Sequence, residues 1–313
     1  MSRATGANAK LYGKLEAAYG TAAEDDYAQL PFVTCDLGAE QPLEANDVLG
    51  LGREPAPPSR GTITDTGTIV VPVDLRDLGF WLTLLFGPPA TSGTTPNFVH
   101  AFTSGAAALP SATLEVGYPE VPRYFENVGV MVDSIKFPWA TSGKANATVA
   151  VIAQGESDSA TSGAGTPTSR VLTRFQQSMG SIKLGGSALA AITAGELTIA
   201  NALDPVRTIR PDGKIDGCDL GVAAVTGQIS ARFADTTLLD AATAGTSVAL
   251  SLGWAIDPTR SLTIDLPAVF LPRAKRQISG PKGIEMRFNF QAAKPASGAF
   301  CTVTLKNDVA SYS

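Results

Sequence analysis

The sequence predicts a mainly β protein made of two tandem β-sandwich or half-barrel folds, each with one short flanking α-helix and a long arm. Three observations carry that expectation. The composition is 44% hydrophobic but only 7% aromatic and 17% charged, a balance that favours sheets and turns over long charged helices. Residues 61–87 alternate apolar and polar positions as a strand does, then change at Asp74 to a helical run that stops at Gly87-Pro88. Residues 222–245 repeat the plan: Gly67, Ile69, Val71 and Val73 are matched 160 residues later by Gly227, Ile229, Ala231 and Phe233, and Asp74 by Asp235. A change from period 2 to period 3.6 at a matched aspartate does not arise from composition alone. It reads as one strand-to-helix corner used twice.

In chain order, the opening residues set Leu11 and Leu15 among polar neighbours before a turn at Tyr19-Gly20-Thr21; a strand and a single helical turn fit equally. Residues 30–36 read as a strand. Residues 37–60 hold Pro42, Pro55, Pro57 and Pro58 without any apolar period, the mark of an extended arm or functional loop. The helix from Asp74 has an acceptor at its start, Asp77 near the positive end of its dipole and a Gly-Pro stop. Leu75, Leu78, Leu82 and Leu85 form one stripe, and Phe80, Trp81, Leu84 and Phe86 a second apolar surface. Such a helix needs cover on both sides. Its own sheet supplies one; a neighbouring subunit supplies the other, with the rest of this chain as the alternative.

Strands follow at 113–118, 128–137 and 146–153, and residues 156–169 form a linker by composition, dividing the chain into units 1–160 and 161–313. The second unit opens with a strand at 197–201. Its arm, 202–219, carries Pro205, Pro211, Gly213 and Gly217, and leads to the second corner, whose helix bears Leu238 and Leu239. Strands with Val248, Leu250, Leu252 and Trp254, then Leu262, Ile264 and Leu266, come next. The clearest half-buried strand sets Ile284, Met286, Phe288 and Phe290 against Glu285, Arg287, Asn289 and Gln291, as one-sided antiparallel sheets do. A last strand covers 300–305.

Few groups converge for chemistry. Against 29 acidic residues stand 24 basic ones, a net charge of −5, and no basic cluster exceeds Arg273-Ala274-Lys275-Arg276; gripping nucleic acid requires concentrated positive charge. Cys35, Cys218 and Cys301 are widely spaced and read as free buried thiols. No signal-peptide core opens the chain, and the apolar run 78–86 falls far short of the ~20 residues that span a bilayer, so a protein of a reducing cytoplasm without membrane insertion is expected. His100, the one histidine, has no partner pattern for a base. Neither a nucleophile elbow nor a phosphate loop occurs, and Asp212, Asp216 and Asp219 miss the spacing of a calcium loop. Trp81, Trp139 and Trp254 sit in apolar contexts. No catalytic, cofactor or metal site is expected, and no enzyme. What the chain has in surplus is open strand edge, which closure against further copies removes.

Residues 6–11 (GANAKL) and 16–21 (EAAYGT) resemble the opening of major tail tube proteins of long-tailed, siphovirus-type bacteriophages. LTIANALDPVRTI, VTGQISARFAD, LTIDLPAVFL and ISGPKGIEMRFNFQA are similar to later parts of that family. The resemblance implies tail-tube-like folds whose sheets join across subunits into stacked rings of a hollow tube in the virion tail, made in the host bacterial cytoplasm. It implies a lumen that holds the tape measure protein and later passes DNA without tight binding, commonly acidic as −5 would suit, with tail terminator and distal tail proteins as further partners. Six tube folds per ring would make three chains a pseudo-hexameric ring, with six chains as the rival. Both arms are expected to join rings through Asp47, Arg53, Glu54, Arg207, Arg210 and Asp212. The corner helices are expected at subunit borders through Leu75, Phe80, Trp81, Leu84, Phe86, Leu238 and Leu239. A capsid decoration or tail adaptor protein, and a carbohydrate-binding or hydrolytic tail fibre, are the alternatives from other classes.

Overall fold

The computed structural model describes residues 3–50, 52–275, 278 and 280–312; Leu51 of the first arm and Arg276 of the basic cluster lie outside them. In chain order, β1 (Lys10–Leu15), β2 (Ala28–Gln29), β3 (Thr34–Cys35) and β4 (Gly38–Glu40) lead to the first arm, rooted in β5 (Leu43–Glu44) and β6 (Ser59–Arg60). β7 (Thr64–Pro72) and α1 (Leu78–Phe86) make the first corner. Then come β8 (Ala90–Thr94), β9 (Asn97–Thr103), β10 (Ala112–Tyr118), β11 (Arg123–Trp139), β12 (Asn146–Ala153) and β13 (Gly155–Ser159). β14 (Gly180–Leu184), β15 (Ser187–Ala188) and β16 (Ile192–Ala200) precede the second arm, built on β17 (Asp204–Val206) and β18 (Gly217–Asp219). β19 (Ala224–Arg232) and α2 (Thr237–Ala244) form the second corner, before β20 (Val248–Asp257), β21 (Arg260–Phe270), β22 (Glu285–Ala292) and β23 (Thr302–Asn307). The fold is mainly β, as its composition predicts.

These strands form two packed layers. The wide layer runs β3/β4, β7, β12, β11, β16, β19, β22 and the end of β21, antiparallel throughout. The second runs β15, β14, β20, β21, β23, β9 and β8. Period-2 alternation turns Ile69, Val71, Val149, Phe137, Leu197, Ile229 and Phe288 of the first inward, into one apolar cluster with Leu252, Trp254, Ile264 and Val303 of the second. Trp139 and Trp254 stack across the layers, with ring centroids 4.4 Å apart. The opening segment resolves to a strand, β1, because Leu11 and Gly13 turn inward while β1 pairs with β10 along its whole length.

Strands from both sides of residue 160 pair with each other: β11 with β16, and β9 with β23. The seam at 156–169 is compositional and not a break in hydrogen bonding. Ser162 and Gly163 bond the Glu115 carboxylate, and Tyr27 and Gln29 bond Ala164 and Thr168. Within this joint sheet β3/β4, β7 and β12 are ordered as β16, β19 and β22 are. The matched glycines have the same task. A Cβ on Gly67 would lie 2.4 Å from Leu37 Cα, and one on Gly227 2.1 Å from Glu196 O, so both corner strands press directly on the strand before them.

Both helices begin later than their aspartates. Asp74 turns its carboxylate to the backbone N–H groups of Arg76, Asp77 and Leu78, each at 2.9 Å, and this turn consumes the residues ahead of α1. Asp235 receives the Thr237 N–H at 2.9 Å. All nine residues of α1 are buried. Its second side is covered by this chain, the alternative to a subunit contact, because the C-terminus returns across it: the Tyr312 ring fills the space over Gly79, where a Cβ would meet it at 2.2 Å. Phe233 lies beyond β19 and is 44% exposed, and Ile284 precedes β22 at 37%; neither joins the inward face that alternation predicts. Gly67→Ala is expected to destabilise by about 1–3 kcal/mol through overpacking, read as a lower urea midpoint.

Candidate assembly surfaces

The arms are antiparallel ribbons whose tips leave the sheets. β7 and β19 run in the same direction in the wide sheet, being separated by β12, β11 and β16 in alternation, so the arms preceding them emerge from one end. The first arm exposes Asp47, Arg53 and Glu54, together with Leu43 at 69%, Val48 at 61% and Leu49 at 94%. The second lies against the root of the first: Ile63 N–H donates to Gly213 O at 3.0 Å, and Arg207 to Thr64 Oγ1 at 3.1 Å. Arg210 closes its own tip on Asp212 at 2.8 Å and Asp216 at 2.9 Å. The Arg210 hydrogen bonds hold the Asp212 carboxyl down to about 2.

Thus Arg207, Arg210 and Asp212 are engaged within the chain, while Asp47, Arg53 and Glu54 face outward. Sequence reasoning named the polar residues of the arms and missed the apolar ones. Val48 and Leu49 lie between Asp47 and Gly50, and the fully exposed Ile209 between Thr208 and Arg210; large aliphatics with no period to join were the available signal.

At the first corner a polar clasp joins the chain's end to the start of α1. Asn307 Nδ2 donates to Leu75 O at 2.7 Å, and Tyr312 Oη to Arg76 O at 2.6 Å. Arg76 grips both oxygens of Asp308 at 2.8 and 2.6 Å, and Arg170 reaches Asp77 at 3.1 Å. His100 Nε2 faces two acceptors, Asn307 Oδ1 at 3.1 Å and Val309 O at 2.9 Å, so Nε2 carries the proton. Burial lowers the His100 pKa and keeps the ring neutral. Asp74 is pushed up to about 6 by burial and then by Asp77, against the three backbone donors. Every one of these groups is spent on holding the corner. Leu75, Trp81 and Leu84 are at most 1% exposed, Phe80 9%, Phe86 6% and Leu238 6%, which leaves Leu239 and the outer side of α2 as the accessible part of the helices.

Asp65 is buried at 3% exposure with neither carboxylate oxygen partnered. It stands between Ala39 of β4 and Ala153 of β12, at the root of the first arm. Burial, then Glu156, pushes its pKa up to about 7, with Lys214 opposing. It shares the strand parity of Gly67, Ile69 and Val71, which is the signal by which the sequence could have placed it inward. Among the described residues no helix is long and apolar enough to cross a membrane, and no three His, Cys, Asp or Glu residues converge as metal ligands would.

Tyr312→Phe is expected to cost about 1–3 kcal/mol by orphaning buried partners, measured by denaturant unfolding. Because Asp65 has a folded pKa above the ordinary carboxylate value of about 4, the native state holds its proton more tightly than the unfolded chain. Its contribution to stability is therefore greatest below about pH 4 and falls as pH rises through about 7. Asp65→Asn is expected to flatten that slope and raise the melting temperature at about pH 8; an unchanged slope would refute the assignment.

Residues 6–292 match the family model described as phage tail tube protein. No curated protein matches the chain.

Proposed function

The chain belongs to the phage tail tube protein family, a structural family of the virion tail, and from that premise we propose that it forms stacked rings of a hollow tube. On this reading the tube assembles around the tape measure protein, meets tail terminator and distal tail proteins at its ends, and later conducts the genome. Synthesis in the host bacterial cytoplasm is part of the same reading. The observation that supports it most is the wide antiparallel sheet, which ends at β3/β4 on one margin and at β22 with the tip of β21 on the other. A contact between unlike margins repeats from copy to copy and closes as a ring where the rotation between copies divides a full turn.

The two units, 1–160 and 161–313, each supply one tube fold, so three chains complete a pseudo-sixfold ring, with six chains as the rival. The support is the repeated strand order, the matched glycines and the two corner helices. Both arms leave one end of the sheet, which suits contact with the next ring. The outward face of the wide sheet carries Thr66, Thr68, Thr148, Thr198 and Thr226, with Lys136 and Glu196 paired at 2.8 Å. Glu285 and Arg287 of β22 are exposed on the same side, so the charges of this face are few and of both signs, which suits a bore, since a polyanion slides where cations are not concentrated.

Negative-stain imaging of the purified protein is expected to reveal long tubes whose averaged cross-sections have threefold symmetry with a sixfold outline. True sixfold averages would select six chains; discrete particles would favour a decoration or adaptor protein. Deleting residues 42–60 is expected to leave folded, unpolymerised protein, and long tubes from that variant would refute the arm's role.

A further inference from the structure

Segment 271–283 is the most basic stretch of the chain, with Arg273, Lys275, Arg276 and Lys282 and no acidic residue. The pairings place it. Phe270 sits opposite Gln291 near one end of β22, and Arg232 Nη1 donates to Gly283 O at 2.9 Å beside the other end, where Arg232 opposes Glu285. The described residues 271–275 and 280–283 therefore stand beside opposite ends of the β22 margin. The first group borders a cleft of about 640 Å³ where Leu271 and Pro272 face Asn289, Phe290 and Gln291. Arg273, Lys275 and Lys282 are exposed, as is Ile278 at 75%.

The first arm has the opposite character and leaves the opposite margin, from β4 and β7. The arm, residues 37–60, holds Glu40, Glu44, Asp47 and Glu54 against Arg53 and Arg60, and it exposes Leu43, Val48 and Leu49. None of the ion pairs among the described residues uses a charge of either segment. Two exposed segments of opposite sign, each with unburied aliphatic side chains and set on opposite margins of one sheet, meet the requirement for a head-to-tail contact. Charge sets partner and register, and apolar burial adds affinity.

We propose that the basic margin carrying Arg273, Lys275 and Lys282 of one chain is the docking site for the acidic first arm of a second copy. This rests on the tail tube reading and adds to it the surface on which the arm lands. The arm variant Glu44→Lys, Asp47→Lys, Glu54→Lys, and separately the segment variant Arg273→Glu, Lys275→Glu, Lys282→Glu, are compared with wild type by sedimentation and imaging. Unchanged melting temperatures establish folding. Each triple variant is expected to lose at least about tenfold of its sedimentable tubes at low salt, and the six-substitution chain to recover to within about threefold of wild type. Docking is overturned if wild type and either triple variant form tubes alike, or if the folded six-substitution chain stays dispersed. It is also overturned if the segment variant assembles normally but loses binding to a short DNA duplex, which would give the segment to the genome. A wild-type protein that forms no tubes would remove the tail tube reading and the docking with it.

Discussion

Every backbone N–H and C=O on a strand must find a partner or water, and the wide sheet meets this with partner strands at its internal borders and leaves its two margins without one among the described residues. That constraint organises the molecule. It is the reason β11 continues for 17 residues, serving β10 and β13 with one half and β12 and β16 with the other. Gly129, at φ +64, accommodates the bend between the halves, where a side chain would press on Tyr19 and Gln154. The same rule leaves margins that another copy can complete, and a protein that exposes them without aggregating must direct which margin meets which.

The margins are usable only because the interior is rigid. Glu16 accepts Gly20 N–H, Gly129 N–H and the hydroxyls of Ser111 and Thr113, at 2.6 to 3.0 Å, so one carboxylate ties the opening segment to the bend of β11. The clasp of Asn307, Asp308 and Tyr312 ties the last residues to the first helix. The opening strand region and the last described residues are thus tied to the fold, and the arms project from it.

Much of this was legible beforehand. Alternation located the central strands; the paired changes of period located both corners; proline without periodicity located both arms. These signals are local, carried by residues a few positions apart. The cover over α1 was not legible, because Gly79 and Tyr312 lie far apart in the chain and no spacing records their meeting. The partners of Arg210 were out of view as well: a loop of charged residues reads the same whether it bonds to itself or to a neighbour. Asp65 was readable in principle from parity, but its polar identity outweighed its position.

What the sequence by itself determined is the kind and order of the elements, since backbone periodicity, turn chemistry and helix-start acceptors act over a few residues. What only the tertiary structure decided is which faces and margins remain uncovered. That depends on strands far apart in the chain, β11 against β16 and β23 against β9, where burial is settled by whichever distant segment arrives, and the local pattern holds no trace of the choice.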